Sequence, residues 1–398
     1  MKRKISLLPL FVIGFIVFAL NWFVLSGIKV VSHGPLTTPI FWGSIFFITA
    51  LLVFAIVRMS DKGMDILFKI ATHVFLIAFV SELIFAVVLL LGDVYRLFAG
   101  SPRNPYWIEF GMALFVLTVL AFLYGIIRGK YAYRVIRHTL YFDDLPAEFE
   151  GFRIAQISDI HSGSFNNPKA VQKGIDLINK QQADLFVFTG DLVNNKAEEI
   201  KPWIGHFSQV KAPYGQFSIL GNHDYGDYVK WPNETEKRKN LQQLKQYHAD
   251  LGYRLLLDEH VELVKNGQKI ILAGVENWGI GFGERGDLKK AMTGTAPADF
   301  KILLSHDPTH WAAEVVKFPS KIHLTLAGHT HGMQFGIEAF GIKWSPVKYR
   351  YAHWAGVTGT DGQYLNINRG FGFLGFSGRV GIWPEITVIE LKRSPEMS

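Results

Sequence analysis

The sequence predicts an α/β protein in two parts, an N-terminal region of four transmembrane helices followed by an α/β sandwich with mixed sheets. Of its 398 residues, 49% are hydrophobic and only 19% are charged, whereas a soluble chain carries about 25% charged residues. The apolar residues of the first third form long uncharged runs, as a lipid bilayer requires. From about residue 140, short apolar strands alternate with polar helical stretches, which is typical of an α/β fold.

Each of the four uncharged runs is long enough to cross a bilayer, because about 20 residues at a rise of about 1.5 Å span the hydrocarbon. The predicted helices cover about residues 5–28, 38–57, 70–91 and 110–127. A cleaved signal peptide is the alternative for the first run, since basic residues precede it. The run is long for a signal peptide, however, and three more follow it. We therefore predict a membrane domain over residues 1–138 and a second domain over residues 139–398.

The basic residues predict the orientation of the membrane domain. With the N-terminus inside, ten Lys and Arg residues fall on the cytoplasmic side and three on the other, which places the second domain in the cytoplasm. The cytoplasmic set is Lys2, Arg3, Lys4, Arg58, Lys62, Lys69, Arg128, Lys130, Arg134 and Arg137; the opposite set is Lys29, Arg96 and Arg103. The cluster over residues 128–137 is predicted to form a basic collar that contacts membrane lipids.

The distribution of charge excludes a nucleic-acid-binding face. Residues 1–138 hold 13 Lys/Arg and 5 Asp/Glu, while residues 139–398 hold 28 and 29, so the net charge of +7 lies entirely in the first part. We expect no nucleic acid partner. The absence of cysteine excludes disulfide scaffolds, thiolate-bound metals and cysteine nucleophiles. The sequence leaves the oligomeric state open.

Glu82 falls near the middle of the third predicted span, where an ionised side chain is costly. Two interpretations stay open: a functional role, or a protonated or hydrogen-bonded Glu inside the helix bundle.

The second domain shows the alternation expected of mixed sheets. Two Gly-containing pairs, Asn266-Gly267 and Asp361-Gly362, predict tight hairpins. Helical patterns occupy about residues 167–181, 236–251 and 308–316. The predicted strands are residues 153–158, 185–189, 216–220, 254–257, 261–264, 270–275, 301–304, 323–327, 364–367 and 386–391.

Metal-type ligands follow five of these strands. In open α/β sheets ligands bind at the carboxyl ends of the strands, so we expect these side chains to converge. Nitrogen and oxygen donors suit Mn, Fe or Zn better than Mg or Ca. Seven ligands are too many for one ion but enough for two that share a carboxylate, so the sequence predicts two divalent metal ions. The candidates are Asp159, His161, Asp191, Asn222, His306, His329 and His331.

The motifs DIH, GDL, GNHD, SH and GHTHG, in this order over residues 152–391, resemble the calcineurin-like metallophosphoesterase superfamily. The resemblance implies one metal on Asp159, His161 and His331, a second on Asn222, His306 and His329, and Asp191 as the bridge. Water between two such ions attacks phosphorus in line. The resemblance also implies that His223 acts on the leaving group or the phosphoryl oxygens, with Asp224 orienting it. Capping of the following turn is the alternative for Asp224.

The C-terminal stretch resembles a bacterial subgroup of membrane-associated phosphoesterases, through Asn368-Arg369-Gly370, the glycine-rich residues 371–381, and Pro384-Glu385-Ile386-Thr387. This implies an integral protein of the bacterial inner or plasma membrane. Relatives in that subgroup tend to have GHTHGGQ where this chain has GHTHGMQ, which leaves the substrate open. Arg369 and Arg379 are candidate contacts for a substrate phosphate, and a structural ion pair is the alternative for each.

The predicted enzyme is therefore a membrane-tethered two-metal phosphoesterase. Its substrate contains a phosphodiester or pyrophosphate and is a phosphorylated small molecule or a lipid, such as a lipid-linked nucleotide sugar of the UDP-diacylglucosamine kind. Hydrolysis of a soluble or cyclic nucleotide is one alternative, and a non-catalytic membrane sensor or scaffold is another. Aromatic residues, Phe340 among them, are frequent over residues 332–382 and suit an amphiphilic substrate. Residues 281–286 match G-x-G-x-x-G without the strand and helix of a dinucleotide site, so a loop over the site mouth is predicted there.

Overall fold

The computed structural model describes residues 8–62, 65–339 and 341–395, and the chain divides into two compact units, residues 1–124 and 125–398. The basic residues Lys2, Arg3 and Lys4, the start of the first predicted span and Phe340 lie outside the described residues.

Four apolar helices form the first part of the chain, as predicted: α1 (Leu8–Val31), α2 (Thr37–Lys62), α3 (Ile66–Ala99) and α4 (Pro105–Ile127). All four are long and apolar enough to cross a membrane. Helix α3 extends beyond the predicted residues 70–91 at both ends, because charged residues such as Lys69 and Arg96 lie within its first and last turns rather than outside the helix.

Glu82 lies on α3 and is buried in the helix bundle. Together with Asn21 and Thr49 it lines a small cavity of about 20 Å³. The second interpretation of Glu82, a buried side chain inside the bundle, agrees with this placement.

The second unit contains five α-helices and sixteen strands among the described residues. The helices are α5 (Pro168–Asn179), α6 (Ile204–Phe207), α7 (Glu234–Asp250), α8 (Leu288–Ala291) and α9 (Thr309–Ala313). The strands are β1 (Arg134–Phe142), β2 (Arg153–Ile157), β3 (Leu185–Phe188), β4 (Gln216–Ser218), β5 (Arg254–Leu255), β6 (Glu259–Lys265), β7 (Gln268–Gly274), β8 (Trp278–Gly279), β9 (Gly283–Glu284), β10 (Lys301–Leu304), β11 (Leu324–Ala327), β12 (Ile337–Ala339), β13 (Ile342–Trp344), β14 (Gly356–Thr360), β15 (Gln363–Ile367) and β16 (Glu385–Arg393).

Two six-stranded sheets form the sandwich, and both are mixed. The first has the order β1-β16-β2-β3-β4-β5, in which only β16 and β2 pair antiparallel. The second has the order β14-β15-β11-β10-β7-β6, with antiparallel pairs at its two edges. The predicted fold class is therefore confirmed.

The hydrophobic core between the sheets takes its residues from both. Ile154 on β2 and Leu185 on β3 are fully buried, and they belong to the same cluster as Leu272 on β7 and Ile302 on β10. On the outer face of the first sheet, helices α5 and α7 complete a second cluster. Strands β2, β3 and β4 run parallel inside this packing, so the loops that follow them emerge at one edge.

Strand β1 was not among the predicted strands and crosses the predicted boundary between residues 138 and 139. It pairs parallel with β16 along nine residues, from Arg134 to Phe142. The strand lies at the edge of the sheet, and its exposed positions include Arg134 and Arg137. The sequence analysis assigned these basic residues to the collar, and it therefore did not recognise the strand from their alternation with less exposed positions.

Candidate metal centre

The seven predicted metal ligands lie in five loops that follow β2, β3, β4, β10 and β11, and the fold brings them together. They form two groups whose potential ligand atoms lie within 4.8 Å of one another: Asp159 with His161 and His331, and Asp191 with His306 and His329. Asn222 joins the second group, since its Oδ1 lies 2.9 Å from His329 Nδ1. Nearly all of these side chains are buried.

The spacing of the ligand atoms fits divalent cations. His161 Nε2 lies 3.0 Å from His331 Nε2, and His331 Nε2 lies 3.3 Å from Asp159 Oδ1. Ligand atoms at about 2.1 Å from an ion and at right angles to each other are about 3.0 Å apart. Asp191 Oδ2 lies 3.5 Å from His161 Nε2 and 3.2 Å from His306 Nε2, so this one carboxylate oxygen reaches both groups.

Burial keeps most of the imidazoles neutral, as a metal ligand must be. It lowers the pKa of His161 to about 3 and that of His329 to about 4. Burial also acts to lower the pKa of His306, but the Asp191 carboxylate outweighs it and raises this pKa to about 10. The proton on His306 thus compensates the negative charge of Asp191, which a bound cation would otherwise compensate. The donor set, four imidazoles with carboxylate and amide oxygens, suits Mn, Fe or Zn.

The backbone at these ligands is strained. Asp159, His161, Asp191, His329 and His331 all have positive φ values, between 46° and 70°. Side chains other than glycine rarely adopt this left-handed region, and each instance costs about 1–2 kcal/mol. Such strain persists only where the surroundings impose it, and it clusters at functional sites.

Asp224 supplies part of that support. Its carboxylate accepts hydrogen bonds from the backbone N–H groups of Gly221 (2.9 Å), Asp191 (3.0 Å) and Leu192 (2.8 Å). These oxygens are directed into the loop that carries Asp191 and toward Gly221, which precedes Asp224, so they do not cap the following turn. The role of Asp224 in orienting His223 stays a prediction. Burial raises the pKa of Asp224 to about 7.

His223 is held by a different partner. Its Nδ1 donates to the carbonyl oxygen of Asn194 at 2.8 Å. Its ring stands 4.4 Å from that of Tyr228 and lines the site cavity. The backbone carbonyl of Asn194 therefore orients the ring of His223.

The two predicted substrate contacts, Arg369 and Arg379, are structural. Arg369 is 6% exposed, and each of its terminal nitrogens donates at 2.6 Å, one to Glu385 Oε2 and the other to Glu338 Oε1. Arg379 is fully buried and donates from Nη2 to the carbonyl oxygens of Gly372 and Arg369 at 2.7 and 2.8 Å. Neither is among the residues that line the cavity, and a contact of either residue with a substrate phosphate stays a prediction.

A cavity of about 460 Å³ opens over the ligands, and it contains residues that the sequence analysis missed. Arg350 lines it, with its guanidinium carbon 4.6 Å from the ring centroid of Phe282. Phe282 lies within the G-x-G-x-x-G segment, which borders the cavity as predicted. The complete lining is His161, Asp191, Asn222, His223, Phe282, His329, Thr330, His331, Met333, Pro346, Val347, Tyr349, Arg350, Tyr351 and Leu374.

Two further missed residues contact a ligand from behind. His329 Nε2 lies 2.9 Å from Tyr351 Oη and 3.3 Å from Asp307 Oδ2. Such partners fix the tautomer and orientation of a metal-binding imidazole. The signal for Asp307 was present in the sequence, since it directly follows His306.

The comparisons with known proteins agree with this geometry. Residues 152–333 match the family described as calcineurin-like phosphoesterase, and residues 3–130 match a family described as the transmembrane domain of a probable calcineurin-like phosphoesterase. The metallophosphoesterase YkuE of Bacillus subtilis is 30% identical over 258 residues, which is 64% of this chain and 84% of that protein.

Two other relatives are similar over parts of the chain. A transmembrane protein with a metallophosphoesterase domain from Danio rerio is 27% identical over 71% of this chain and 62% of its own length. The UDP-2,3-diacylglucosamine pyrophosphatase LpxG of Chlamydia trachomatis is 28% identical over 49% of this chain and 68% of its own length.

These matches define the class as metal-dependent enzymes that hydrolyse phosphate esters. The chain belongs to the calcineurin-like metallophosphoesterase family, and it carries the four-helix transmembrane domain found in part of that family.

Proposed function

We propose that this membrane protein hydrolyses a phosphodiester or pyrophosphate bond in a lipid or a lipid-linked nucleotide sugar, using two divalent metal ions. The observation that supports it most is the convergence of seven candidate nitrogen and oxygen ligands, five of which line a cavity whose walls are largely apolar. The proposed reaction belongs at the cytoplasmic face of a bacterial inner or plasma membrane, on the strength of the basic residues next to the spans.

The proposed ligand assignment follows the two groups. Asp159, His161 and His331 hold one ion, Asn222, His306 and His329 hold the other, and Asp191 bridges them. When bound, such a pair of ions supplies Lewis-acid polarisation of the phosphate and activation of a water molecule. The 3.5 and 3.2 Å distances from Asp191 Oδ2 to the two groups support the bridging role.

Two residues of the cavity wall act on the substrate in this proposal. In its doubly protonated form His223 donates a proton to the leaving oxygen from Nε2, since Nδ1 keeps its own proton in the hydrogen bond to Asn194. Arg350 binds the phosphate or diphosphate oxygens, because its planar donors match such oxygens and it lines the cavity directly.

Two observations support a lipid substrate: the apolar lining of the cavity and the similarity to LpxG. Phe282, Met333, Val347 and Leu374 offer apolar surface beside the ligands, which suits a substrate with an acyl chain. LpxG, a relative, is named for cleavage of the pyrophosphate in UDP-2,3-diacylglucosamine.

The test uses the purified full chain, stripped of metal and then resupplied with Mn, Zn, Fe or Mg. We expect hydrolysis of bis(p-nitrophenyl) phosphate to return with a transition metal, together with about two ions per chain. UDP-2,3-diacylglucosamine and cyclic nucleotides are then compared as substrates. Faster turnover of the cyclic nucleotide would favour the soluble-substrate alternative.

Asp191→Asn is the decisive variant, with Asp361→Asn as its matched control. Both positions have positive φ, 61° and 50°, which Asn tolerates well, so only the charge at the site differs. We expect Asp191→Asn to lower activity at least about 100-fold and to reduce bound metal, because the bridge is lost. Full cellular function in this variant would contradict an enzymatic role and favour the sensor alternative.

A further inference from the structure

We propose that the β12–β13 hairpin, together with Met333 and Tyr349, forms a membrane-contact surface that places the mouth of the active-site cavity in the headgroup layer of the bilayer. This inference rests on the proposed function, which identifies the cavity as an active site. It adds that the substrate comes from the lipid surface.

The hairpin is amphipathic in an unusual sense, because its apolar face is the one exposed to solvent. Ile337 pairs with Trp344 and Ala339 with Ile342, so these four side chains share one face of the hairpin. Ile337 is 50% exposed and Ile342 56% exposed. A sheet face that looks onto water is normally polar.

The polar face of the same hairpin is turned toward the domain. Glu338 accepts a hydrogen bond at 2.6 Å from the buried Arg369, and Lys343 donates from Nζ to the carbonyl oxygen of Ala355. These contacts fix which way the hairpin faces. The exposure of the two isoleucines is therefore built into the fold.

The exposed apolar surface extends to the cavity. Met333 precedes the hairpin and is 57% exposed, and Tyr349 follows it and is 79% exposed. Both residues also line the cavity. Met333 and Tyr349 therefore give an acyl chain a path from the cavity to the surface along apolar side chains.

Charge complementarity identifies the occupant as a lipid surface. Over residues 332–352 the sequence has three basic residues, Lys343, Lys348 and Arg350, and one acidic residue, Glu338. Lys348 and Arg350 are exposed, whereas Lys343 donates to the Ala355 carbonyl and Glu338 is engaged by Arg369. Aliphatic and aromatic residues with cations beside them are typical of surfaces that bind the interface of anionic membranes.

The start of the hairpin is tied, through residues 379 and 380, to the first residue of the second unit. Gly336 N–H donates to the Val380 carbonyl at 3.0 Å, and Arg379 N–H donates to the Gly125 carbonyl at 3.2 Å. Gly125 lies in the last turn of α4 and is the first residue of the second unit. A Cβ at Gly125 would lie 2.5 Å from the Arg379 carbonyl oxygen, so the close approach requires glycine.

The test exploits the absence of cysteine from the chain. A single cysteine is introduced as Ile342→Cys, or in a matched control as Val264→Cys, and labelled with a nitrobenzoxadiazole fluorophore. Val264 lies on β6 and is also 56% exposed. The full chain is placed in nanodiscs that contain phosphatidylglycerol, and quenching by doxyl-labelled lipid is compared with quenching by aqueous iodide.

We expect the label at position 342 to be quenched at least twofold more by doxyl lipid than the label at 264, and to be protected from iodide. Equal quenching of the two labels by iodide, with no effect of doxyl lipid at 342, would overturn the proposal. Ile337→Cys serves as a second site if the first variant does not fold. Because this measurement needs no turnover, its failure is distinguishable from failure of the proposed activity.

Discussion

The two ring nitrogens of His329 have different neighbours: Nδ1 lies 2.9 Å from Asn222 Oδ1, and Nε2 lies 2.9 Å from Tyr351 Oη and 3.3 Å from Asp307 Oδ2. The Asp307 carboxylate favours a proton on Nε2, which leaves the lone pair of Nδ1 for a metal ion. Asp307 is fully buried, and its other oxygen accepts hydrogen bonds from Thr309. The residue is therefore a positioning residue for one proposed ligand.

We expect Asp307→Asn to weaken binding of one of the two proposed metal ions by about 10–100-fold, the usual effect of removing such a partner. Metal titration of the stripped full chain measures this directly, and the activity of the metal-saturated variant should recover most of its loss. Asp361→Asn is again the control. Two ions bound as tightly as in the original chain would show that Asp307 does not position His329.

At the scale of elements, the glycine-rich stretch over residues 371–381 packs against the loop that follows β2. Gly372 N–H donates to the Asp159 carbonyl at 2.9 Å. A Cβ at Gly372 would lie 1.8 Å from the Ile160 carbonyl oxygen, far inside van der Waals contact. This contact helps to hold Asp159 and His161 in their strained conformations.

Gly372→Ala should displace the loop after β2 and lower the bound metal from about two ions to about one per chain, because Asp159 and His161 move while the second group stays. Elemental analysis of the purified full chain gives the stoichiometry. Gly205→Ala is a fitting control, since a Cβ there meets nothing within 4 Å. Retention of both ions by Gly372→Ala would mean that the loop keeps its shape without this contact.

Helix α7 contributes a separate, pH-dependent element of stability. His248 is fully buried, its Nδ1 lies 2.8 Å from Ser218 Oγ on β4, and burial lowers its pKa to about 3. Between pH 6.5 and 3 the unfolded chain therefore binds a proton that the folded chain excludes. This lowers the free energy of unfolding by about 1.4 kcal/mol per pH unit as the pH falls.

Replacement of His248 by Gln should remove that contribution, so the melting temperature should fall less steeply between pH 6 and 4 than in the original chain. Intrinsic fluorescence of the full chain in detergent follows the transition. His353→Gln, at an exposed position, should leave the slope as it was. Identical slopes for the original chain and the His248 variant would contradict the assignment.

The sequence predicted what depends on local pattern and missed what depends on distant partners. The sandwich strands and the seven candidate ligands stand out because apolar runs end at Asp, Asn and His residues. The partners of Arg369, Glu338 and Glu385, lie 31 and 16 residues away, so no local pattern revealed the ion pairs. Arg350 lies outside the ligand motifs in sequence, and only the folded chain brings it to the cavity. The apolar side chains of β12–β13 face solvent, whereas an apolar face of a strand normally indicates burial.

On the scale of the whole molecule, four spanning helices and a catalytic unit share one chain. The basic residues next to the spans favour a cytoplasmic catalytic unit by ten against three. The orientation decides which pool of substrate the enzyme meets, since a polar headgroup does not cross the bilayer unaided.

Single cysteines report this orientation, because the chain has none of its own. We expect Val264→Cys to react with a membrane-impermeant maleimide only after cells are permeabilised, and Pro102→Cys, between α3 and α4, to react in intact cells. Both side chains are exposed. The reverse pattern would place the catalytic unit on the outer side and contradict the predicted topology.

The pairing of β1 with β16 has a consequence for biosynthesis. These strands are the first and last of the catalytic sheet, and residues 134–142 pair with residues 385–393. At about 5–20 residues per second, translation from one strand to the other takes roughly 10–50 seconds. During that time β1 has left the ribosome without its partner, while β2, which pairs with the other side of β16, also waits. A nascent chain thus keeps an open sheet beside the membrane until its final strand emerges, and chaperones would be needed most in that interval.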